Sequence, residues 1–274
     1  MTSGYEQQPF DIRRPSLEIQ VGPWIVLWGG KMLGKNLVTA ISISFAVHAV
    51  SLPTFAKELI SITAVGDIMM GTTYPSSSML PENNGKNLFE PAKEWIEASD
   101  IRFGNFEGTF FDGPAQPDGK APGPNRFLFK TPTQMGSRLS EAGFNVVSLS
   151  NNHSRDFGGA GMKSTKEVLQ QNGIQYSSKT GEIATFSIDG QEVVLLATDF
   201  YKGQRSIVEP ASTYLEISKH KQAGKLVIVS AHAGGEGAGA EIVKLGKEIF
   251  LGENRGDSVQ FARDAIEKGS DLIM

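Results

Sequence analysis

The chain has 274 residues, above the usual ~100–200 of one domain but within the range of a single larger α/β domain. Its 30 acidic and 26 basic residues give a formal net charge of −4, which argues against a general nucleic-acid binder, because those normally carry a basic surface. The absence of cysteine removes disulfides, thiolate catalysis and cysteine-based metal sites, and leaves the compartment open.

In chain order, the first long apolar run is "LVTAISISFAVHAVSL", Leu37 to Leu52. Lys31 and Lys35 precede it, and Thr54 and Ala56 supply the small residues of a cleavage site. A basic start, a short apolar stretch and such an ending describe a secretory signal peptide over residues 32–56. An uncleaved N-terminal anchor and a core segment are the other readings. The run is short for a membrane span, which needs roughly 20 apolar residues. Residues 1–31 are a polar leader unusual ahead of a signal, and Met32 makes a natural start. The expectation is therefore a leader that is a start-site artefact, and an exported protein that is periplasmic, cell-surface or membrane-anchored and faces outside the cytoplasm. The domain is expected over 57–274.

Beyond that segment, Ile60 to Val65 reads as a first strand ending in "GDIMMG". A helical pattern covers Pro91 to Ala98, and Asp100 to Phe103 is a strand leading into "GNFEG". Residues 112–125 are dense in Gly and Pro and predict a long exposed loop. Thr133 to Ala142 predicts a helix closed by Gly143, and Asn145 to Leu149 a strand delivering "SNNHSRDFG". Gly161 to Gln171 predicts a helix. Ala184 to Ile188 and Glu192 to Ala197 flank Asp189-Gly190, a two-residue hairpin signal. A helix is expected over Ser212 to Ala223, a strand over Lys225 to Val229 ending in "SAHAGGEG", a helix over Ser258 to Lys268 and a strand from Asp271. Strands alternating with helices around one hairpin give a layered α/β fold with a mixed sheet. In such folds the functional loops lie at the C-terminal ends of the strands.

Four of those ends carry unusual polar residues: Asp67; Asn105 and Glu107; Asn151, Asn152, His153 and Asp156; His232 and Glu236. Oxygen and imidazole donors without thiolate suit Mn, Fe, Zn or Mg. Two such ions can clamp a phosphoryl group and activate a water, and a histidine can act as general acid. Each residue also has a plain reading. Asp67 caps a turn, Asn105 and Glu107 are edge polars, Asn152-His153 is a hydrogen-bonded turn, and Glu236 is a solvated acid. Arg155 and Asp156 are either a local ion pair or orienters of their neighbours. The joint pattern is the stronger reading, because a plain explanation has to hold separately at four strand tips.

In this order, "AVGDIMMG", "GNFEG", "VVSLSNNHSRDFG" and "VSAHAGGEG", followed by "FARDAIEKGSDLI", resemble the CapA family of bacterial capsule-synthesis proteins associated with poly-γ-glutamate. That family sits within the calcineurin-like metallophosphoesterase superfamily. The resemblance implies an α/β/β/α sandwich with a two-metal centre at the strand ends. It places Asp67, Asn105, Glu107, Asn152 and His232 as metal ligands and His153 as the adjacent catalytic histidine, with Asp156 beside it. Arg155 and Glu236 fall at the substrate edge. Two departures stand out: Asp67-Ile68-Met69 replaces the superfamily's Asp-x-His, and the chain reaches Met274 before the family's Gly-His-x-Pro-His motif. The expected sandwich is therefore incomplete at its C-terminus, with activity expected of the longer form.

The expected function is metal-dependent hydrolysis of a phosphoester or polymer bond in capsule synthesis at the envelope. The alternatives are a non-catalytic partner in polymer assembly or export, and a degenerate fragment. Expected partners are the capsule polymer or a phosphoester and other envelope capsule-synthesis proteins, not nucleic acid.

Overall fold

The structure, a computed structural model, describes residues 59–274 other than 117, 122, 124, 125 and 241. The expected leader and targeting segment lie outside the described residues. All elements below belong to one compact unit, Leu52–Met274.

Twelve strands and five helices follow one another in the order β1 (Ile62–Ile68), α1 (Lys93–Glu97), β2 (Ile101–Phe106), β3 (Thr109–Phe110), β4 (Lys130–Thr131), α2 (Ser137–Glu141), β5 (Val146–Ser148), α3 (Gly158–Gln171), β6 (Gln175–Ser177), β7 (Ala184–Ile188), β8 (Gln191–Asp199), α4 (Ala211–Gln222), β9 (Leu226–His232), β10 (Glu248–Phe250), β11 (Glu253–Gly256), α5 (Ser258–Glu267) and β12 (Leu272–Ile273). The strands do not form one mixed sheet. Two four-stranded sheets form instead, β1-β2-β5-β6 and β12-β9-β8-β7. The first is parallel throughout, and the second is parallel except for β7, which runs antiparallel to β8.

The period-two alternation of the strands explains the layering. On β8, Val193 and Leu195 join Ile101, Phe103, Val146 and Ile228 in a cluster drawn from both sheets, the layer between them. The intervening Val194 and Leu196 pack with Val227, Val229, Ile217 and Phe261, under α4 and α5. On the other side Phe106 and Val147 pack with Ile96, Leu139 and Leu169, under α1, α2 and α3. The result is an α/β/β/α sandwich. Strands buried on both faces read as unbroken apolar runs such as "VVLLA", which is why the sequence does not reveal which sheet each one joins.

Most element boundaries lie within a few residues of expectation. The hairpin turn is Asp189-Gly190 with φ of 47° and 86°, the positive pair a type I′ turn requires. The expected helix over 133–142 is divided into a 3-10 turn, Thr133–Gly136, and α2. The hairpin β10–β11 is a separate two-stranded sheet with no counterpart in the sequence reading. No helix among the described residues is long and apolar enough to cross a membrane.

Candidate functional site

The tips of β1, β2, β5 and β9 meet where the two sheets face each other. In β1 the register shifts between Ala64 and Asp67, and this bulge sets Asp67 opposite Asn105 of β2. The strands approach closely here. A Cβ on Gly104 would lie 2.3 Å from Ile68 Cδ1 and 3.1 Å from Val65 Cγ2, so any larger residue beside Asn105 would have to displace the Ile68 side chain. Asn105 Nδ2 donates to Asp67 Oδ1 at 2.7 Å. Phe106 turns into the core and stacks on Phe110. Asn105 and Glu107 are therefore left on the site side, both only 6% exposed.

The turn after β5 is built by its own side chains. Asn151 Oδ1 accepts from His153 N at 3.0 Å, an Asx-type turn. Asn151 Nδ2 donates to Asn105 Oδ1 at 3.0 Å and to the Phe106 carbonyl at 2.9 Å, which locks this turn to β2. Sequence reading grouped Asn151 with its neighbours without a role of its own. Its chemistry matches that of Asn152, and only geometry separates the latch from the side chain that faces the site.

His153 Nδ1 lies 2.7 Å from Asp156 Oδ2. The same oxygen accepts from Phe129 N at 2.8 Å, and Lys120 Nζ is 3.5 Å from the other oxygen. Asp156 is 1% exposed, and its Oδ1 has no hydrogen-bond partner. The ring of Phe129 covers His153 at 4.2 Å between centroids. This arrangement fixes the imidazole with Nε2 3.8 Å from Glu107 Oε1. Asp156 thus orients His153 rather than facing the gap itself.

His232, at the end of β9, joins the second sheet to the first. Its Nε2 donates to Asn152 Oδ1 at 2.8 Å, and its Nδ1 accepts from Asn105 Nδ2 at 3.2 Å. Together these bonds select the neutral tautomer protonated on Nε2. Burial holds the His232 pKa below its ordinary value, against the opposing pull of Asp67. Glu107 Oε1 lies 3.8 Å from His232 Nε2. The Glu107 carboxyl is pushed up to about 8, first by burial and then by the charge of Asp67 and a hydrogen bond with it.

Asp67, Asn105, Glu107, Asn152, His153, Asp156 and His232 are thus brought together. Asn105 offers its amide nitrogen to the site, because its oxygen is taken by Asn151. Glu236 is exposed and pairs with Arg255 at 2.7 Å, near enough for its charge to act on Glu107 and His232. Arg155 is also exposed and pairs with Asp118 at 3.4 Å, with no contact to the other candidates. Among the described residues, no three His, Asp or Glu side chains surround a common point as metal ligands do. Lys120 and Arg255 escaped the sequence reading. One sits in the Gly- and Pro-rich loop and the other in the hairpin no pattern announced.

A family model described as bacterial capsule synthesis protein PGA_cap matches residues 61–242, a span that holds every candidate residue read from the sequence. The chain belongs to that family. PGA_cap lies within the metallophosphoesterase-like superfamily, in keeping with the two-sheet sandwich. Among curated relatives, the PGA biosynthesis protein CapA of Bacillus subtilis is 25% identical over 75% of this chain and 60% of its own length. The capsule biosynthesis protein CapA of Bacillus anthracis is 28% identical over 66% of this chain and 48% of its own. The uncharacterized protein y4sH of Sinorhizobium fredii is 32% identical over 42% of this chain and 23% of its own. The chain therefore spans less than two thirds of the length of each of these relatives.

Proposed function

We propose that this PGA_cap member is an envelope protein of capsule or poly-γ-glutamate synthesis whose strand-tip site hydrolyses a phosphoester or polymer bond with the help of divalent metal. The observation that carries this is the convergence of Asp67, Glu107, Asn152 and His232 from both sheets, with the His153–Asp156 pair beside them. Their donor atoms are carboxylate and amide oxygens and imidazole nitrogen, a set that suits Mn, Fe, Zn or Mg. Two acids, one of them buried, share this gap, and a divalent cation would relieve their mutual repulsion. Asp67, Glu107, Asn152 and His232 would hold the ion, His232 through a ring nitrogen released from its present hydrogen bond. Two ions are what the family resemblance implies, and these donors are proposed for one of them. A bound divalent ion supplies charge that polarises a phosphoryl or carbonyl oxygen and acidifies a water.

The chain's own residues do the rest. Asp156 holds the His153 ring in place. His153 Nε2 faces Glu107 across the gap, placed to give a proton to a leaving-group oxygen. Glu236 stands at the substrate edge. Export to the envelope, contact with capsule polymer and contact with other capsule-synthesis proteins belong to the same proposal.

One observation favours a second reading, a non-catalytic partner in polymer assembly or export: the candidate donors bond one another rather than enclose a point. Metal content and turnover of a chromogenic phosphodiester and of poly-γ-glutamate, measured on the purified chain, separate the two. The hydrolase reading expects bound metal and turnover that falls about 10²- to 10⁴-fold in His153→Gln without loss of metal. A folded chain with neither metal nor turnover refutes it and leaves the assembly role.

A further inference from the structure

The hairpin β10–β11 is a two-stranded sheet apart from the two large ones, yet Arg255 carries it to the site. Arg255 of β11 is 4% exposed. Its guanidinium carbon lies 4.1 Å from the Phe200 ring centroid and 5.2 Å from that of Phe250. Phe200 in turn stacks on His232, 5.9 Å between centroids with 29° between planes. The order Phe250, Arg255, Phe200, His232 is a continuous pile of flat groups. A guanidinium suits it because it is planar, weakly hydrated and attracted to ring faces, as a lysine ammonium is not.

Two further ties run from Arg255 to the loop after β9. Its carbonyl accepts from Gly234 N at 3.3 Å, and Nη1 donates to Glu236 Oε1 at 2.7 Å. Nη2 pairs with Glu253 at 3.1 Å within the hairpin. Nε is buried without a hydrogen-bond partner. An arginine serving only to staple the hairpin gains nothing from leaving that donor unpaired, whereas a guanidinium placed by the two rings accepts that loss.

We propose that Arg255 is a positioning residue for the site: through Phe200 and the 232–236 loop it fixes the ring plane of His232 and the place of Glu236. This rests on the reading of His232 as a metal-holding side chain. Groups one step behind a ligand typically change metal affinity 10- to 100-fold when altered.

The test uses the whole chain with Arg255→Lys, which keeps the charge and loses the flat fork. Mn²⁺ binding is read by calorimetry, and the ring-nitrogen spectrum of the metal-free protein is read at one fixed pH. The expected result is Mn²⁺ binding weakened about tenfold or more, with His232 ring signals displaced and those of His153 unmoved. A variant that melts earlier but binds Mn²⁺ as tightly as the parent, with His232 signals in place, overturns the inference and leaves a hairpin staple. If Arg255→Lys does not fold, Phe200→Leu breaks the same pile inside an apolar cluster and carries the same two expectations. If the parent chain takes up no Mn²⁺, the metal reading fails by itself and the ring spectrum alone decides Arg255. Displaced His232 signals support its positioning role, and unmoved ones overturn it.

Discussion

Replacing Glu107 with glutamine tests the electrostatics of the gap directly. Glu107 is 6% exposed, and its carboxyl is raised from 4.5 to about 8, by burial first and Asp67 second. In the metal-free protein the folded state therefore keeps a proton that the unfolded chain loses near its ordinary carboxyl value. The corresponding stability is fully present below about pH 4.5 and drains away as pH rises toward about 8. At about 1.4 kcal/mol per unit the whole shift corresponds to roughly 5 kcal/mol. Asp67 shares the effect and its side chain is 46% exposed, so solvent screening brings the expected loss to ~2 kcal/mol. Glutamine imitates the protonated acid at every pH and should remove this contribution to the slope. Urea unfolding in chelator, at steps between about pH 5 and about pH 8, measures both proteins. Across that range the parent should lose ~2 kcal/mol relative to Glu107→Gln. Added Mn²⁺ should stabilise the parent increasingly as pH rises, because ligands must shed protons to bind, and should stabilise the variant far less. Parallel curves for the two proteins in chelator would refute the account of Glu107.

Asn151→Ala orphans Asn105 Oδ1 and the Phe106 carbonyl in a buried place, so it should cost about 2–3 kcal/mol and loosen the 150–156 turn, seen as faster amide exchange there. Leu195→Ala opens a cavity between the sheets and should cost about 2–5 kcal/mol by urea unfolding. It should also weaken Mn²⁺ binding, because the Asn152–His232 bond spans the two sheets that Leu195 helps to hold together.

The strand tips were legible because each ends an apolar run with a polar residue that a buried sheet has no other use for. Asp67, Glu107, His153 and His232 were found in that way. The division into two sheets was legible through the family resemblance and not from the strand patterns, since β5 and β8 are apolar on both faces and their partners lie far away in sequence. Arg155 and Asp156 show the same limit at finer scale. They are adjacent charged residues, yet one points out to Asp118 and the other is sealed beneath His153. The turn geometry decides between them, and no spacing rule encodes it. Arg255 follows a two-residue turn, Leu251-Gly252, in which both residues have positive φ, and only folding carries it back to Phe200.

The bond from Asn152 to His232 crosses from one sheet to the other, and it has a consequence for quality control. One sheet supplies the acids and the His153–Asp156 pair, and the other supplies the second imidazole. A half-folded chain with only one sheet formed holds an incomplete donor set. A chain built in this way has no stage at which one sheet alone carries the whole set of candidate side chains. The closing of the inter-sheet layer and the completion of the site are the same event.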